Sequence, residues 1–496
     1  MGGILTANRV TTQATPAQSR YNSYMVNPSA VRIPSRRLLA AASLLLTALP
    51  AHTQQTDGLK ARLEAAIPAV LKQTATPSAQ IGIVRDGRVI YTGAFGLAQT
   101  TPAVPATPDM PYRVGSVSKQ FTAAAVMVLV ERGKLRLDDP VSTWFPEFGH
   151  SSEITLRMLL NQVSGYSDDY TEDYLTPEMA APIDPYKLIQ EWTAKPLDFA
   201  PGTRWQYSNT NYGLAGLIVQ KVAGEPFFQF LRENILLPAG LTHAIDLDGP
   251  SVPAVPVGYI RNGFGPIRPA IQEGKGTVFG AGELAMPIGD LAKWNAVVLH
   301  HQILKPESWQ TLQTEYTLPD GKGSGYAMGF FLRVRDGRRL IDHGGEVNGF
   351  VSLNTLYPAE GIAIAILTNA ESSTSALTQA VETAVFAPEA KAPIPRDPAA
   401  EALVKNVIAQ LQQGKLDRSL IAPNLNFYFT DQVIADYKTS LAPLGPIQSI
   451  EPLNRSERGG MTGIFYKVQG TGAPIGVFIY VMNDGKLDQF VLEKLN

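Results

Sequence analysis

A chain of 496 residues exceeds one average globular core, so at least two folded units are expected. Hydrophobic residues at 45% against 17% charged exclude a mainly disordered polymer, and a net charge of −2 removes any sequence-wide attraction to nucleic acid or acidic membranes. The absence of cysteine excludes disulfides, thiolate metal sites and cysteine nucleophiles, and the six histidines include no His-Glu-x-x-His helix of a zinc hydrolase.

Arg32, Arg36 and Arg37 precede an apolar run from Leu38 to Leu49 that ends at Pro50-Ala51-His52. A basic stretch, about a dozen apolar residues and a small residue at the exit predict a secretory leader over 1–51, cleaved near Ala51. Ser35-Arg36-Arg37 also fits a twin-arginine route, and Met25 offers a later start. The run is shorter than the about 20 apolar residues a membrane span needs, so no span is expected after leader removal. The mature chain is then expected to be exported, periplasmic or extracellular.

Apolar spacing of three and four predicts a helix over Leu59–Lys72. Strand-like runs Gln80–Arg85 and Arg88–Thr92 are joined by Asp86-Gly87, a hairpin signal because both residues tolerate positive φ. Far downstream, Tyr326–Arg335 turns at Asp336-Gly337 into Arg338–Asp342, followed by Phe350–Tyr357 and Gly361–Leu367. The stretch between these blocks reads as helix and loop. Strands at both ends imply an α+β fold, with one antiparallel sheet built from both ends of residues 52–386 and a helical lobe beside it. Pro388, Pro393, Pro395 and Pro398 mark 387–399 as a linker. Residues 400–496 read as a small α+β domain: a helix over Ala400–Gln413, then strands with turns at Gly459-Gly460 and Asp484-Gly485.

The sharpest local feature is Arg113-Val114-Gly115-Ser116-Val117-Ser118-Lys119-Gln120-Phe121, which leads into the apolar run Thr122–Val130. Ser116 and Lys119 are three apart at a helix start, hence about one turn apart on one face. A serine hydroxyl needs a base, and a lysine serves only if burial or nearby positive charge lowers its pKa. One Ser-x-x-Lys is expected by chance in such a chain, so the tetrapeptide alone reads as a capping serine and a solvated lysine. No Gly-x-Ser-x-Gly elbow competes with it. Tyr207-Ser208-Asn209 follows Pro201-Gly202 and precedes the apolar helix Tyr212–Val222. There a tyrosine could shuttle a proton and an asparagine could orient a carbonyl. His343-Gly344-Gly345 closes the strand ending at Ile341-Asp342, its glycines allowing close backbone approach or simply a turn.

In this order the three motifs resemble the serine β-lactamase-like and penicillin-binding protein superfamily, in the branch of class C β-lactamases, D-Ala-D-Ala carboxypeptidases, D-aminopeptidases and related esterases. Leu159-Leu160-Asn161-Gln162-Val163-Ser164-Gly165 is similar to a further turn of that family, and the resemblance covers roughly Leu59 to Phe386. It implies Ser116 as acylated nucleophile, Lys119 as its proton-relay partner and Tyr207 as general base and acid. It also implies Asn209, His343 and Gly345 at the substrate, an oxyanion hole from the backbone N–H groups of Ser116 and Glu346, and no metal or organic cofactor. Gly344 lacks the hydroxyl of the class C Lys-Thr-Gly motif, and His343 is only partly charged near neutral pH. The expected activity is therefore hydrolysis of a small ester, amide or peptide rather than of a β-lactam. A β-lactamase and a penicillin-recognising sensor or non-catalytic binding protein are the alternatives.

Ser118 is expected to cap or pack, and His150, His243, His300 and His301 to lie on the surface or in loops. Asp168, Asp169, Glu172 and Asp173 are expected to form a solvated acidic face. The C-terminal unit resembles, more loosely, an NTF2-like domain with an aromatic core of Phe427, Tyr428, Phe429, Phe465, Tyr466, Phe478 and Tyr480. Its expected role is packing or homo-oligomerisation.

Overall fold

The computed structural model describes residues 51–168, 170, 175–250, 256–370, 374–386, 394–458 and 461–495. The expected leader up to residue 50, positions 387–393 of the expected linker, Asp169, Glu172, Asp173 and the Gly459-Gly460 turn lie outside these residues. Helix α1 (Ala51–Thr74) leads into β1 (Ser78–Arg85). Asp86 and Gly87, at φ 48° and 70°, then turn the chain into β2 (Arg88–Gln99), the hairpin geometry this dipeptide favours. The helical lobe includes α2 (Ser118–Glu131), α3 (Asn209–Ala223) and α4 (Ile288–Leu299). After it come β3 (Phe330–Arg335), β4 (Arg338–Val347), β5 (Phe350–Tyr357), β6 (Ile362–Thr368) and α5 (Ser375–Val385).

The sheet runs β2-β1-β6-β5-β4-β3, with Val104–Pro105 beyond β2 and Tyr326–Ala327 beyond β3. Antiparallel pairing of β1 with β6, from Ala79 opposite Thr368 to Arg85 opposite Ile362, joins the two ends of the unit. Side-chain alternation on β6 builds a core on each face. Ile362, Ile364 and Ile366 pack with Leu63 and Ile67 of α1 and Leu377 and Val381 of α5. Ala363, Ala365 and Leu367 join the core formed by α2, α3 and α4, which includes Phe121, Leu217 and Trp294. A strand buried on both faces reads as an unbroken apolar run, as this one does.

The C-terminal domain has its own core around Val404, Ile408, Tyr437, Tyr466 and Val477. It begins with α6 (Pro398–Gln412), so Pro398 and Ala399, expected in the linker, form the first helical turn, with Asp397 capping Ala400 N. Two helices, α7 (Pro423–Tyr428) and α8 (Asp431–Leu441), stand where strands were expected. The aromatic run 427–429 looks strand-like, yet Pro423 opens a helix there. A four-stranded antiparallel sheet follows in sequence order: β7 (Ile447–Arg458), β8 (Met461–Gly470), β9 (Ile475–Val481) and β10 (Leu487–Lys494). The expected aromatic core divides. Phe429 and Tyr466 are buried, whereas Phe427 is 56% exposed and Phe465, Phe478 and Tyr480 line a cavity on the other side of the sheet. Neighbouring residues of a strand face opposite ways, so Phe465 and Tyr466 cannot share one core. No helix among the described residues is long and apolar enough to cross a membrane.

Candidate active site

Gly115–Val117 forms a 3-10 turn that runs into α2, which places Ser116 and Lys119 about one turn apart. Because α2 is buried along its length, Lys119 is 0% exposed. Its Nζ donates to Ser116 Oγ (2.9 Å), Asn209 Oδ1 (2.7 Å) and the Ala281 carbonyl (3.0 Å). Burial holds the amine well below the ordinary lysine range; Arg458 pushes the same way, while Asp168 and Glu283 oppose it. The solvated-lysine reading of the tetrapeptide therefore fails.

Tyr207-Ser208-Asn209 sits at the N-terminus of α3, with Asn209 its first residue. The Leu159–Gly165 turn fixes it there. Gln162, at φ 61°, accepts through Oε1 from Ser208 N (3.0 Å) and Asn211 Nδ2 (2.5 Å), and Ser164 Oγ donates to Asn211 Oδ1 (2.6 Å). Two motifs separated in sequence are thus one hydrogen-bonded unit. Tyr207 is 4% exposed; burial pushes its phenol well above the usual range, and a hydrogen bond with Ser116 opposes that shift. Its ring lies parallel to Phe331, and Lys119 Nζ is 4.9 Å from its centre.

His343-Gly344-Gly345 does not end a strand. β4 continues to Val347, with these three residues paired to Asn354, Leu353 and Ser352 of β5. Pairing with β3 stops at Phe331 opposite Asp342, which leaves that side of β4 to the turn carrying Ser116. A Cβ on Gly345 would lie 2.0 Å from Val114 O and 2.8 Å from Ser116 N. One on Gly115, at φ 49°, would lie 2.8 Å from Glu346 N. Two opposed glycines thus bring the backbones together, and the N–H groups of Ser116 and Glu346 flank that contact.

Strand alternation turns Gly344 toward solvent and His343 inward. His343, expected at the substrate and partly charged, is 1% exposed, with Nε2 3.1 Å from the Tyr326 hydroxyl. Burial drives its imidazole down to about 3, with Lys119 adding to the shift, so it is neutral across the physiological range. The unfolded chain takes up this proton as pH falls through 6.5, while the native state refuses it until about 3. Stability is therefore lost as pH drops through that window, by about 1.4 kcal/mol per unit. His343→Gln is expected to remove up to about 3 kcal/mol of acid sensitivity between pH 6.5 and 4, measured by urea unfolding at both pH values. Equal pH slopes in the two proteins would show that the buried imidazole contributes none.

Three residues at the site were not anticipated in these positions. Asp168, expected on a solvated face, accepts from Asn209 N (3.0 Å) and Asn209 Nδ2 (3.2 Å), and burial raises its carboxyl. Glu283, 2% exposed and within the field of Lys119, is driven toward its neutral acid by burial. Arg458, at the end of β7, places its guanidinium 4.7 Å from the centre of the Tyr207 ring. Nothing in the sequence indicated what Arg458 faces. Ser118 Oγ accepts from Leu284 N (3.2 Å) and packs in the core. His243, His300 and His301 are exposed and His150 half-buried.

A family model described as Beta-lactamase matches residues 63–386, about two thirds of the chain, and the chain belongs to this family of serine hydrolases. The Bacillus subtilis (strain 168) protein PbpX, whose name provisionally places it among penicillin-binding proteins, is 30% identical over 286 residues. That match covers 58% of this chain and 68% of PbpX, so the chain spans about two thirds of the length of the curated relatives it matches. Among solved structures, the octameric penicillin-binding protein homologue from Pyrococcus abyssi superposes with TM-score 0.58 at 21% identity, over 88% of this chain and 100% of the other. The D-stereospecific amidohydrolase from Streptomyces sp. does so with TM-score 0.56 at 27% identity, over 69% of this chain and 100% of the other.

Proposed function

We propose that the chain is an exported hydrolase that cleaves ester or amide bonds, including those of D-amino-acid peptides, through an acyl-enzyme on Ser116. The observation that carries this reading is the desolvated amine of Lys119, 2.9 Å from Ser116 Oγ. A lysine kept neutral by burial accepts the Ser116 proton as Oγ attacks the substrate carbonyl carbon. The backbone N–H groups of Ser116 and Glu346 receive the oxyanion, each contributing about 3 kcal/mol. Tyr207, held as a phenol, gives its proton to the leaving nitrogen or oxygen as that bond breaks and regains one from Lys119. Water then loses a proton by the reverse route and attacks the acyl carbon, and Ser116 recovers its proton as the acid departs. Asn209 anchors Lys119 and orients the substrate amide; the scheme calls for no cofactor.

The Streptomyces amidohydrolase supports an amide substrate, and the octameric Pyrococcus homologue supports self-association of this chain. A buried neutral His343 beside Gly344 gives a β-lactam carboxylate neither cation nor hydroxyl on β4, which weighs against a β-lactamase. The test is an intact-mass time course with an activated p-nitrophenyl ester and with a penicillin. The expected result is a transient acyl adduct on the peptide containing Ser116, steady p-nitrophenol release and no lasting penicillin adduct. Rapid penicillin turnover would identify a β-lactamase and a persistent penicillin adduct a sensor. No adduct and no release with either compound would sink the acyl-enzyme reading.

A further inference from the structure

Glu273 lies in the loop after the short strand Arg268–Pro269, with its carboxylate buried. The loop is pinned from two directions. Gly274 N donates to Met179 O (2.8 Å), Gln272 Nε2 to Asn348 O (3.0 Å) and Asn348 Nδ2 to Ile271 O (2.6 Å). Three donors converge on the carboxylate: Arg113 Nη1 on Oε2 (2.9 Å), and the Tyr170 hydroxyl (2.8 Å) and Asn348 N (2.7 Å) on Oε1. Pairing with a largely buried guanidinium makes this a charge-assisted contact, of a class roughly twice as strong as neutral hydrogen bonds.

Each donor belongs to a different segment of the catalytic centre. Arg113 stands three residues before Ser116, and Asn348 stands two residues after Glu346, just past the end of β4. One carboxylate therefore ties together the two backbone stretches whose N–H groups face the oxyanion. Tyr170 stands two residues after Asp168, which accepts from Asn209 N, and Asn209 Oδ1 in turn accepts from Lys119 Nζ. The third limb thus leads to the anchor of the lysine. Gly115 and Gly345 let the two stretches approach, and Glu273 tethers them.

Resting on the hydrolase reading above, we propose that Glu273 is a positioning residue of the oxyanion hole. By holding Arg113 and Asn348 on one carboxylate it fixes the separation of the Ser116 and Glu346 N–H groups, and through Tyr170 it registers the segment whose Asp168 carries Asn209. It acts through these neighbours and not on the substrate. Oxyanion donors serve at about 2.7–3.1 Å from the developing charge, and a displacement of about 1 Å costs on the order of 10²-fold in rate.

The test compares the full chain with Glu273→Gln and Tyr170→Phe. Glutamine keeps the volume and one acceptor oxygen but turns N–H groups toward the Arg113 guanidinium, so that limb opens. Phenylalanine removes the hydroxyl limb and keeps the charge pair, so it reports on the same tether if Glu273→Gln does not fold. With an activated p-nitrophenyl ester, kcat is expected to fall by about 10- to 100-fold in Glu273→Gln and about fivefold in Tyr170→Phe, with KM unchanged. The second readout is inhibition by an arylboronic acid. Ser116 Oγ bonds to boron, its proton passes to Lys119, and a boronate oxygen takes the oxyanion position. Its affinity is expected to fall by the same factor as kcat in each variant. A merely structural role would lower the active fraction and leave the affinity of the folded molecules as it was. Tyr357→Phe, which removes a bond to Glu382 on the other face of the sheet, is expected to stay within about twofold in both readouts. Boronate affinity within about twofold of the parent in Glu273→Gln, or in Tyr170→Phe should that be the variant that folds, would overturn the proposal and leave the acyl-enzyme reading standing. So would a rise in KM with kcat unchanged. A parent that neither releases p-nitrophenol nor takes up the boronic acid would overturn both.

Discussion

Alanine in place of Ser116 is expected to lower kcat for an activated ester by about 10⁴-fold or more, with little change in substrate affinity or fold. The substitution removes one oxygen from a site whose other members hold their places. Lys119 keeps Asn209 Oδ1 and the Ala281 carbonyl as acceptors, and Tyr207 stays packed against Phe331. The hydrogen bonds lost, to Lys119 and to Tyr207, each cost about 1 kcal/mol, so the melting transition is expected to move by only several degrees. Steady-state kinetics and a thermal melt on the same preparation check both halves. Turnover within tenfold of the parent would mean that the reacting oxygen lies elsewhere. A collapse of stability would mean that Ser116 holds the turn together rather than reacting from it.

Gly345→Ala is expected to have the second largest effect, lowering turnover by about 10²- to 10³-fold through displacement of the oxyanion donors. Its Cβ would meet the backbone of the Ser116 turn, at 2.0 Å from Val114 O and 2.8 Å from Ser116 N, and Ser352 Oγ at 2.6 Å, so movement of a side chain alone cannot relieve the clash. β4 and the Ser116 turn must part, and overpacking of this kind costs about 1–3 kcal/mol of stability. The adjacent Gly344 is the internal control, since a Cβ there would meet only Ser352 O at 3.7 Å, ordinary contact. Gly344→Ala is expected to stay within about twofold of the parent because one methyl in open space neither strains the strand nor moves a donor. Equal tolerance at the two positions would show that the backbone contact does not set activity.

What could be read from the chain alone was local chemistry in a fixed order. Asp86-Gly87 and Asp336-Gly337 gave both hairpins because only a few residues accept their backbone angles. The serine, tyrosine and histidine-glycine motifs fall at one site because each lies at an element end or a strand margin facing the same lobe. His343-Gly344-Gly345 was read as a strand end because glycine pairs ordinarily break strands; here the close approach of the Ser116 turn calls for them. Asp168 looked like one of several solvated acids, since nothing in sequence links it to the amide of Asn209. Arg458 lay further out of reach. A lone arginine before two glycines carries no signature, and its meaning comes only from a contact between domains.

Pairing of β1 with β6 also governs how such a chain acquires its structure. Ser78 N donates to Asn369 Oδ1 across 291 positions, so the centre of the sheet has very high contact order. Loop closure over that distance must precede any gain from the pairing, which makes folding slow relative to chains rich in local contacts. A ribosome-bound chain that has released α2 and α3 but not β6 presents the apolar edge of β1 unpaired, a site for association with other chains. Mutations that weaken β6 are therefore expected to reduce the yield of soluble enzyme before they touch the chemistry of the molecules that do fold.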